Sequence, residues 1–273
     1  GNAALCAAIT ARRLGATVLV IEAAPKFYRG GNSRHTRNLR LTHDQPNGIL
    51  TGAYLEDEFW QDLKAVTKGN MDEALGKFLM SESKDLWDFM TALGVRFQPP
   101  IEGTLSLGRT NAFFLGGGRA LINSLYMTAE DAGIDILYET EAIDLDMHNG
   151  LFRYAVARRN GQDHIVKART MVAAAGGFEA NIEWLRESWG AGADNFRIRG
   201  TPYNRGSLLK VMLSKGVKQI GEPDQCHAVA IDARAPKFDG GIATRLDCIV
   251  FGIVVNSRAK RFYDEGEEFW PKR

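Results

Sequence analysis

Cysteine is scarce in this chain and nowhere paired. Its three cysteines, Cys6, Cys226 and Cys248, are odd in number and scattered, without a C-x-x-C step, which argues against a disulfide framework, a zinc site and an iron–sulfur cluster. An excess of one charge is also missing: 34 Lys and Arg face 33 Asp and Glu, a net charge of +1, so no strong field draws the chain to nucleic acid or to an anionic membrane. No apolar run reaches membrane-spanning length, which argues against direct membrane insertion. Repeats and low-complexity tracts are absent. These absences leave a small molecule or another protein as the partner and a reducing cytoplasm as the expected setting, and 273 residues suffice for a sizeable core in one or two domains.

The opening of the chain is the most informative segment present. Gly1-Asn2-Ala3-Ala4 runs into a small-residue helix, and an apolar strand then ends on Glu22. Dinucleotide-binding βαβ units read G-x-G-x-x-G/A after their first strand, with an acidic residue about 20 positions downstream at the tip of the next strand. With Gly1 as the middle glycine, Ala4 takes the third small position and Glu22 the acidic one, so the first strand and first glycine are expected upstream of Gly1. A glycine there lets backbone approach a pyrophosphate at the positive end of the helix, and Glu22 would accept from adenosine ribose hydroxyls. An alanine-rich helix before a buried strand also suits any α/β core.

Downstream, residues 25–52 form a long polar loop, of the kind that in compact domains tends to be functional. Helical periodicity covers 55–67 and 71–93, the second placing Leu75, Phe78, Leu79, Leu86, Trp87, Phe89, Met90 and Leu93 on a face expected in the core. A short strand is expected at 95–97, a helix at 119–132 after Gly116-Gly117-Gly118, and a strand at 134–138. Strand-like runs then recur at 141–147, 152–158 and 164–166, with Asn149-Gly150 and Asn160-Gly161 between them, strong hairpin signals that predict an antiparallel meander. The apolar run 170–175, capped by Gly176-Gly177, reads as a strand, and 182–189 and 208–215 read as helices. The fold class is therefore α/β, a Rossmann-like two-dinucleotide-binding arrangement with an inserted meander.

Several segments together resemble the fumarate reductase/succinate dehydrogenase flavoprotein family: GNAALCAAITARRLGATVLVIEAAP, RGGNSRHTRNLR, FLGGGRALINSLYMTAEDAGIDILYETEAIDL, MVAAAGGFEANIEWL, QCHAVAIDARAP and NSRAKRFYDEGEEFWPKR. Within the family they are most similar to the tricarballylate-oxidising branch. The resemblance implies an FAD-binding domain over 1–224, lacking its first strand, and the beginning of an α+β substrate-capping domain over 225–273, so that the fold would be incomplete at both ends. It implies FAD as cofactor, held by Gly1, Asn2, Ala3, Glu22, Ala23, the Gly30-Gly31-Asn32-Ser33 loop, Ala142 opposite the adenine, and the close-packed strand end Ala175-Gly176-Gly177. Aligning the Gly-Gly-Asn frame puts Ser33, not His35, where some members attach their flavin, so the FAD is expected to be noncovalent. Arg34, Arg37 and Arg40 could meet an anion or form a solvated face.

The same resemblance places His227 and Arg245 on substrate carboxylates, a task suited to an imidazolium and a guanidinium fork. A buried strand is expected at 249–255. The family's proton-transfer arginine has Phe269 at its place here, which leaves Arg273 as the nearby substitute. The implied reaction moves hydride between a C–C bond of a small di- or tricarboxylate and flavin N5, with tricarballylate oxidised to an aconitate, and passes electrons to a separate iron–sulfur, membrane-associated acceptor. Rival readings are a fumarate reductase-like or ketosteroid dehydrogenase-like enzyme, and a catalytically silent FAD-binding electron-transfer module.

Overall fold

The computed structural model describes residues 1–100, 107–224, 229–262 and 264–265. It divides into two compact units, Gly1–Ala175 and Gly176–Arg273. The expected junction at Gln225 lies outside the described residues.

The first unit begins with α1 (Asn2–Arg13), whose Leu5, Ala8 and Ile9 follow the i, i+3, i+4 spacing that brings one helix face inward. The chain then enters β1 (Leu19–Ile21), a short strand that reaches Glu22. Downstream come β2 (Asn38–Arg40), α2 (Glu56–Thr67), α3 (Glu73–Ser83), α4 (Leu86–Ala92), β3 (Asn111–Phe113), α5 (Gly117–Asp131) and β4 (Asp135–Leu137). The crossover returns β4 parallel to β1, with Leu19 opposite Asp135 and Ile21 opposite Leu137, and the Glu22 N–H extends the pairing to Leu137 O at 2.9 Å. Between the two helices lies the main core: Leu5 and Ile9 of α1 meet Leu121, Ile122, Leu125, Tyr126 and Ala129 of α5. Burying each large side chain there contributes about 1.5–3 kcal/mol. A separate antiparallel pair joins β2 to β3.

The meander is present. Strands β5 (Thr140–His148), β6 (Leu151–Arg159) and β7 (Gln162–Lys167) pair antiparallel in sequence order. Both turns have two left-handed residues, Asn149 and Gly150 at φ 50° and 75°, Asn160 and Gly161 at 52° and 74°. Asn-Gly tolerates such angles, and the resulting turn twist matches the strands it joins.

Three expectations on helices and strands are corrected. The stretch 71–93 is two helices, broken at Lys84-Asp85, and Leu75, Phe78 and Leu79 are 64, 61 and 54% exposed. The reason lies in a competing stripe: Gly76, Met80 and Ser83 form the inward face of α3. A methyl group on Gly76 would stand 3.1 Å from the Trp60 ring, Met80 joins Tyr54 and Phe59, and Ser83 Oγ meets the Thr42 N–H at 3.1 Å. Only the Met90 and Leu93 half reaches the main core. The run 170–175 pairs with none of the described strands and lies in no sheet, with Val172 69% exposed, so apolar composition without a ladder partner makes no strand. The run 249–255 is not a buried strand either: Asp247–Phe251 is a 3-10 helix, and Phe251, Ile253 and Val255 face solvent.

In the second unit α6 (Ile182–Trp189) starts at Asn181, whose side chain accepts from the Trp184 N–H at 3.1 Å, and α7 (Ser207–Ser214) follows Gly206. Phe178 stacks on Trp184 with ring centroids 4.3 Å apart, and Gly206 sits against the Trp184 ring and Phe178 Cβ, where a methyl group would come within 2.6 Å of either side chain.

Candidate nucleotide site

Helix α1 starts without a side-chain cap on its Gly1, and the groups around its first turn come from the 3-10 turn Gly31–His35. Ser33 Oγ accepts from the Asn2 N–H at 3.0 Å and donates to Asn2 Oδ1 at 2.8 Å, and the same Oδ1 accepts from the Ala3 N–H at 2.9 Å. A methyl group on Gly1 would lie 3.1 Å from Ser33 Oγ and 3.3 Å from Gly30 O, so a side chain there would fill the gap between helix and loop. Gly30 and Gly31 have φ of 102° and 55°, angles a side chain disfavours. Gly30 also presses on Ile122, where a Cβ would be 2.6 Å from Cγ2.

Glu22 joins the loop to the strand. Its Oε1 accepts from the Ala24 N–H at 3.1 Å, while Oε2 accepts from the Gly30 N–H at 3.1 Å and from the Tyr126 hydroxyl at 2.9 Å. Tyr126, on α5, is 1% exposed. Burial raises the pKa of its phenol, and the negative charge and hydrogen bond of Glu22 raise it further, so the group stays a donor. The Arg29 guanidinium carbon lies 4.2 Å from the Tyr126 ring centroid, and Arg29 Nη1 donates to the Tyr138 hydroxyl at 2.9 Å and faces Glu130 at 3.4 Å. Half-buried Ala23 continues the chain from Glu22, and Asn32 is half-buried within the turn.

The remaining expected site residues lie on other elements. Ala142 lies on β5 opposite Ala157, beside a register shift. Ala175 is exposed at the end of the first unit; Gly176, at φ 77°, and Gly177 belong to the second, where a Cβ on Gly176 would be 2.8 Å from the Asn204 amide. The Arg245 side chain is 8% exposed and pairs with Asp247, and its backbone bridges Ile231. His227 and Arg273 lie outside the described residues.

Of the basic loop residues, Arg34 is buried and donates to Phe27 O at 3.4 Å, Arg37 faces the Phe113 ring at 5.8 Å, and Arg40 donates to the Tyr54 hydroxyl and to Asp62 at 3.1 and 3.3 Å. They serve the protein's own packing rather than a solvated face.

Sequence reasoning missed two groups that build this site. Gly118, in the first turn of α5, lies so close to the loop that a methyl group would be 2.3 Å from Ser33 O and 2.7 Å from the Arg34 carbonyl carbon. The Gly116-Gly117-Gly118 run was a usable signal, since three glycines at a helix start mark a close backbone approach. Tyr126 had no such signal, because nothing in a helical stripe of apolar residues tells which member turns its polar tip to a strand end.

The family profile described as "FAD binding domain" matches residues 1–268. The chain belongs to this family. The FAD-binding chain is 30% identical over 191 residues to the fumarate reductase (cytochrome) of Shewanella frigidimarina, covering 67% of this chain and 33% of that protein. It thus spans about a third of the length of the curated relatives it matches. Its fold is that of a flavocytochrome c3 fumarate reductase in an open conformation, with a TM-score of 0.65 and 18% identity over 77% of this chain and 38% of the other. A 3-ketosteroid-Δ4-(5α)-dehydrogenase from Rhodococcus jostii RHA1 matches with a TM-score of 0.69 and 20% identity, covering 96% of this chain and 59% of that one. The α/β architecture with its meander is therefore a flavoprotein fold, and FAD is the cofactor of the family to which the chain belongs. The glycine cradle between α1 and the 30–33 loop, with a carboxylate at the strand end, suits that cofactor's adenosine diphosphate portion. No helix among the described residues is long and apolar enough to cross a membrane.

Proposed function

We propose that this chain is the FAD-binding part of an oxidoreductase that moves hydride between flavin and an activated C–C bond beside a carboxylate, with tricarballylate as substrate and an aconitate as product. The observation that carries the cofactor half is the convergence of Gly1, Asn2, Gly30, Ser33 and Glu22 at one end of the β1–α1 layer. The carboxylate substrate rests on the sequence resemblance, and the fumarate reductase among the relatives favours an acid over a steroid.

FAD supplies the hydride-accepting and hydride-donating ring. The chain's own residues do the rest. The backbone of Gly1, Asn2, Ala3 and the Gly30-Gly31-Asn32-Ser33 loop faces the pyrophosphate, Glu22 with Ala23 beside it takes the ribose hydroxyls, and the backbone at Ala142 meets the adenine. Ala175, Gly176 and Gly177 leave room near the flavin for lack of bulk. His227 and Arg245 bind substrate carboxylates and so fix the reacting carbon, a positioning effect that lowers the entropic part of the barrier. Arg273 is the candidate proton-transfer group. Asp247 already partners Arg245, so a substrate carboxylate would share or displace that ion pair. FAD is bound without a covalent link, and electrons pass to a separate acceptor protein, iron–sulfur in type and membrane-associated.

Anaerobic mixing of the intact protein with tricarballylate tests this reading. Bleaching of the flavin absorbance with formation of an aconitate is expected. Flavin that stays oxidised with tricarballylate but, once chemically reduced, is reoxidised by fumarate would replace the substrate; flavin inert to both would leave the electron-transfer module.

A further inference from the structure

We infer that Tyr126 is the positioning residue that sets Glu22 for recognition of the adenosine ribose, an inference that rests on the FAD-binding reading proposed for Glu22. A carboxylate at a strand end can rotate about its last bonds, and a freely rotating acceptor loses entropy each time it grips a diol. Glu22 is not free to rotate. Three donors from two parts of the chain hold it: the Ala24 and Gly30 N–H groups at 3.1 Å and the Tyr126 hydroxyl at 2.9 Å. The two N–H groups belong to the backbone that runs from the end of β1 to the 3-10 turn Gly31–His35. Tyr126 alone is anchored in α5, within the main core, and is 1% exposed.

The geometry distinguishes this phenol from an ordinary buried tyrosine. Its ring is capped by the Arg29 guanidinium at 4.2 Å, and that cation is itself tied to the Tyr138 hydroxyl and to Glu130. A cation over the ring face draws electron density from it and strengthens the hydroxyl as a donor to an anion. Two of the three donors converge on Oε2, which leaves Oε1, with a single protein donor, as the oxygen better able to accept from a ribose hydroxyl.

Titration of FAD and of FMN, which lacks the adenosine end, into deflavinated intact protein tests the assignment. The variants are Tyr126→Phe, Glu22→Ala, and Glu22→Ala with Tyr126→Phe. Tyr126→Phe is expected to raise the FAD dissociation constant roughly three- to tenfold, a share of what a charged hydrogen bond contributes, and to leave the FMN constant unchanged. In the Glu22→Ala background it should add nothing further. An unchanged FAD constant in Tyr126→Phe, with Glu22→Ala still weakened, would overturn the role of Tyr126 and leave that of Glu22 standing. Unchanged FAD binding in both single variants would remove Glu22 itself from the ribose. Equal weakening of FAD and FMN, or loss of folded protein by circular dichroism, would make Tyr126 a packing residue only.

Discussion

Glu22 holds one negative charge where three donors need it, so its removal has two separable consequences. Glu22→Ala strands the Ala24 and Gly30 N–H groups and the Tyr126 hydroxyl, and should lower the melting temperature of the flavin-free protein. It should also weaken FAD roughly ten- to a hundredfold, the worth of about 1.5–3 kcal/mol of charged hydrogen bonding, read by calorimetric titration. A lowered melting temperature with unchanged FAD affinity would confine Glu22 to loop anchoring. Glu265 offers a test by pH. Arg261 donates to it through Nε and Nη2 at 2.9 and 2.6 Å, the Val254 N–H adds a further bond, and together they lower its pKa from 4.5 to about 2. A depressed carboxylate pKa stabilises the fold above the unfolded value, and that contribution fades as pH falls from about 4.5 through about 2. Urea unfolding of wild type and Glu265→Gln should therefore differ at pH 6 and converge by about pH 2; a gap that stays constant over that range would refute the linkage.

Helix α5 shows how an element, rather than a residue, assembles the site. Its first turn abuts the 30–33 loop through Gly118, its middle packs on α1 through Leu121, Ile122 and Leu125, and its next turn sends Tyr126 to Glu22. Gly118→Ala, where a Cβ would lie 2.3 Å from the Ser33 carbonyl oxygen, must push the loop away; a loss of roughly 1–3 kcal/mol and a clear loss of FAD affinity are expected. Gly150→Ala provides the contrast, because Gly150 has φ 75° but nothing within 4 Å: only the left-handed cost of about 1–2 kcal/mol applies, with FAD binding intact. Similar FAD affinities in the two variants would show that the contact between α5 and the loop does not shape the site. The meander was readable in advance from its Asn-Gly turns, since those residues have a local reason to be where they are. Helix α3 was misread because apolar spacing gives a stripe but not its partner. Gly76, Met80 and Ser83 won the inward face through Trp60, Tyr54 and Thr42.

At the scale of the whole molecule, cofactor and substrate functions should separate. Because the Ser33 hydroxyl is engaged with Asn2, acid precipitation of the loaded protein should release all of its flavin into the supernatant. Colour that stays with the pellet would contradict noncovalent binding. Arg245→Gln removes the buried partner of Asp247 and the proposed carboxylate clamp, so it should slow flavin reduction by tricarballylate at least tenfold while flavin content stays unchanged. Loss of flavin instead would tie Arg245 to the cofactor fold.

The sequence by itself determined what local physics enforces: a small-residue helix ahead of a strand ending in Glu22, glycines at the positive-φ positions of the 30–31 loop, and two Asn-Gly hairpins that close a three-stranded sheet. Each depends on bonds or angles among neighbours in the chain. Only the tertiary structure decided that Gly118 and Tyr126 complete the site, that Leu75 and Phe78 face solvent, and that the apolar run 170–175 stays outside any sheet. Those outcomes depend on which distant segment arrives alongside, and a steric fit or ladder partner that far along the chain leaves no mark on local spacing.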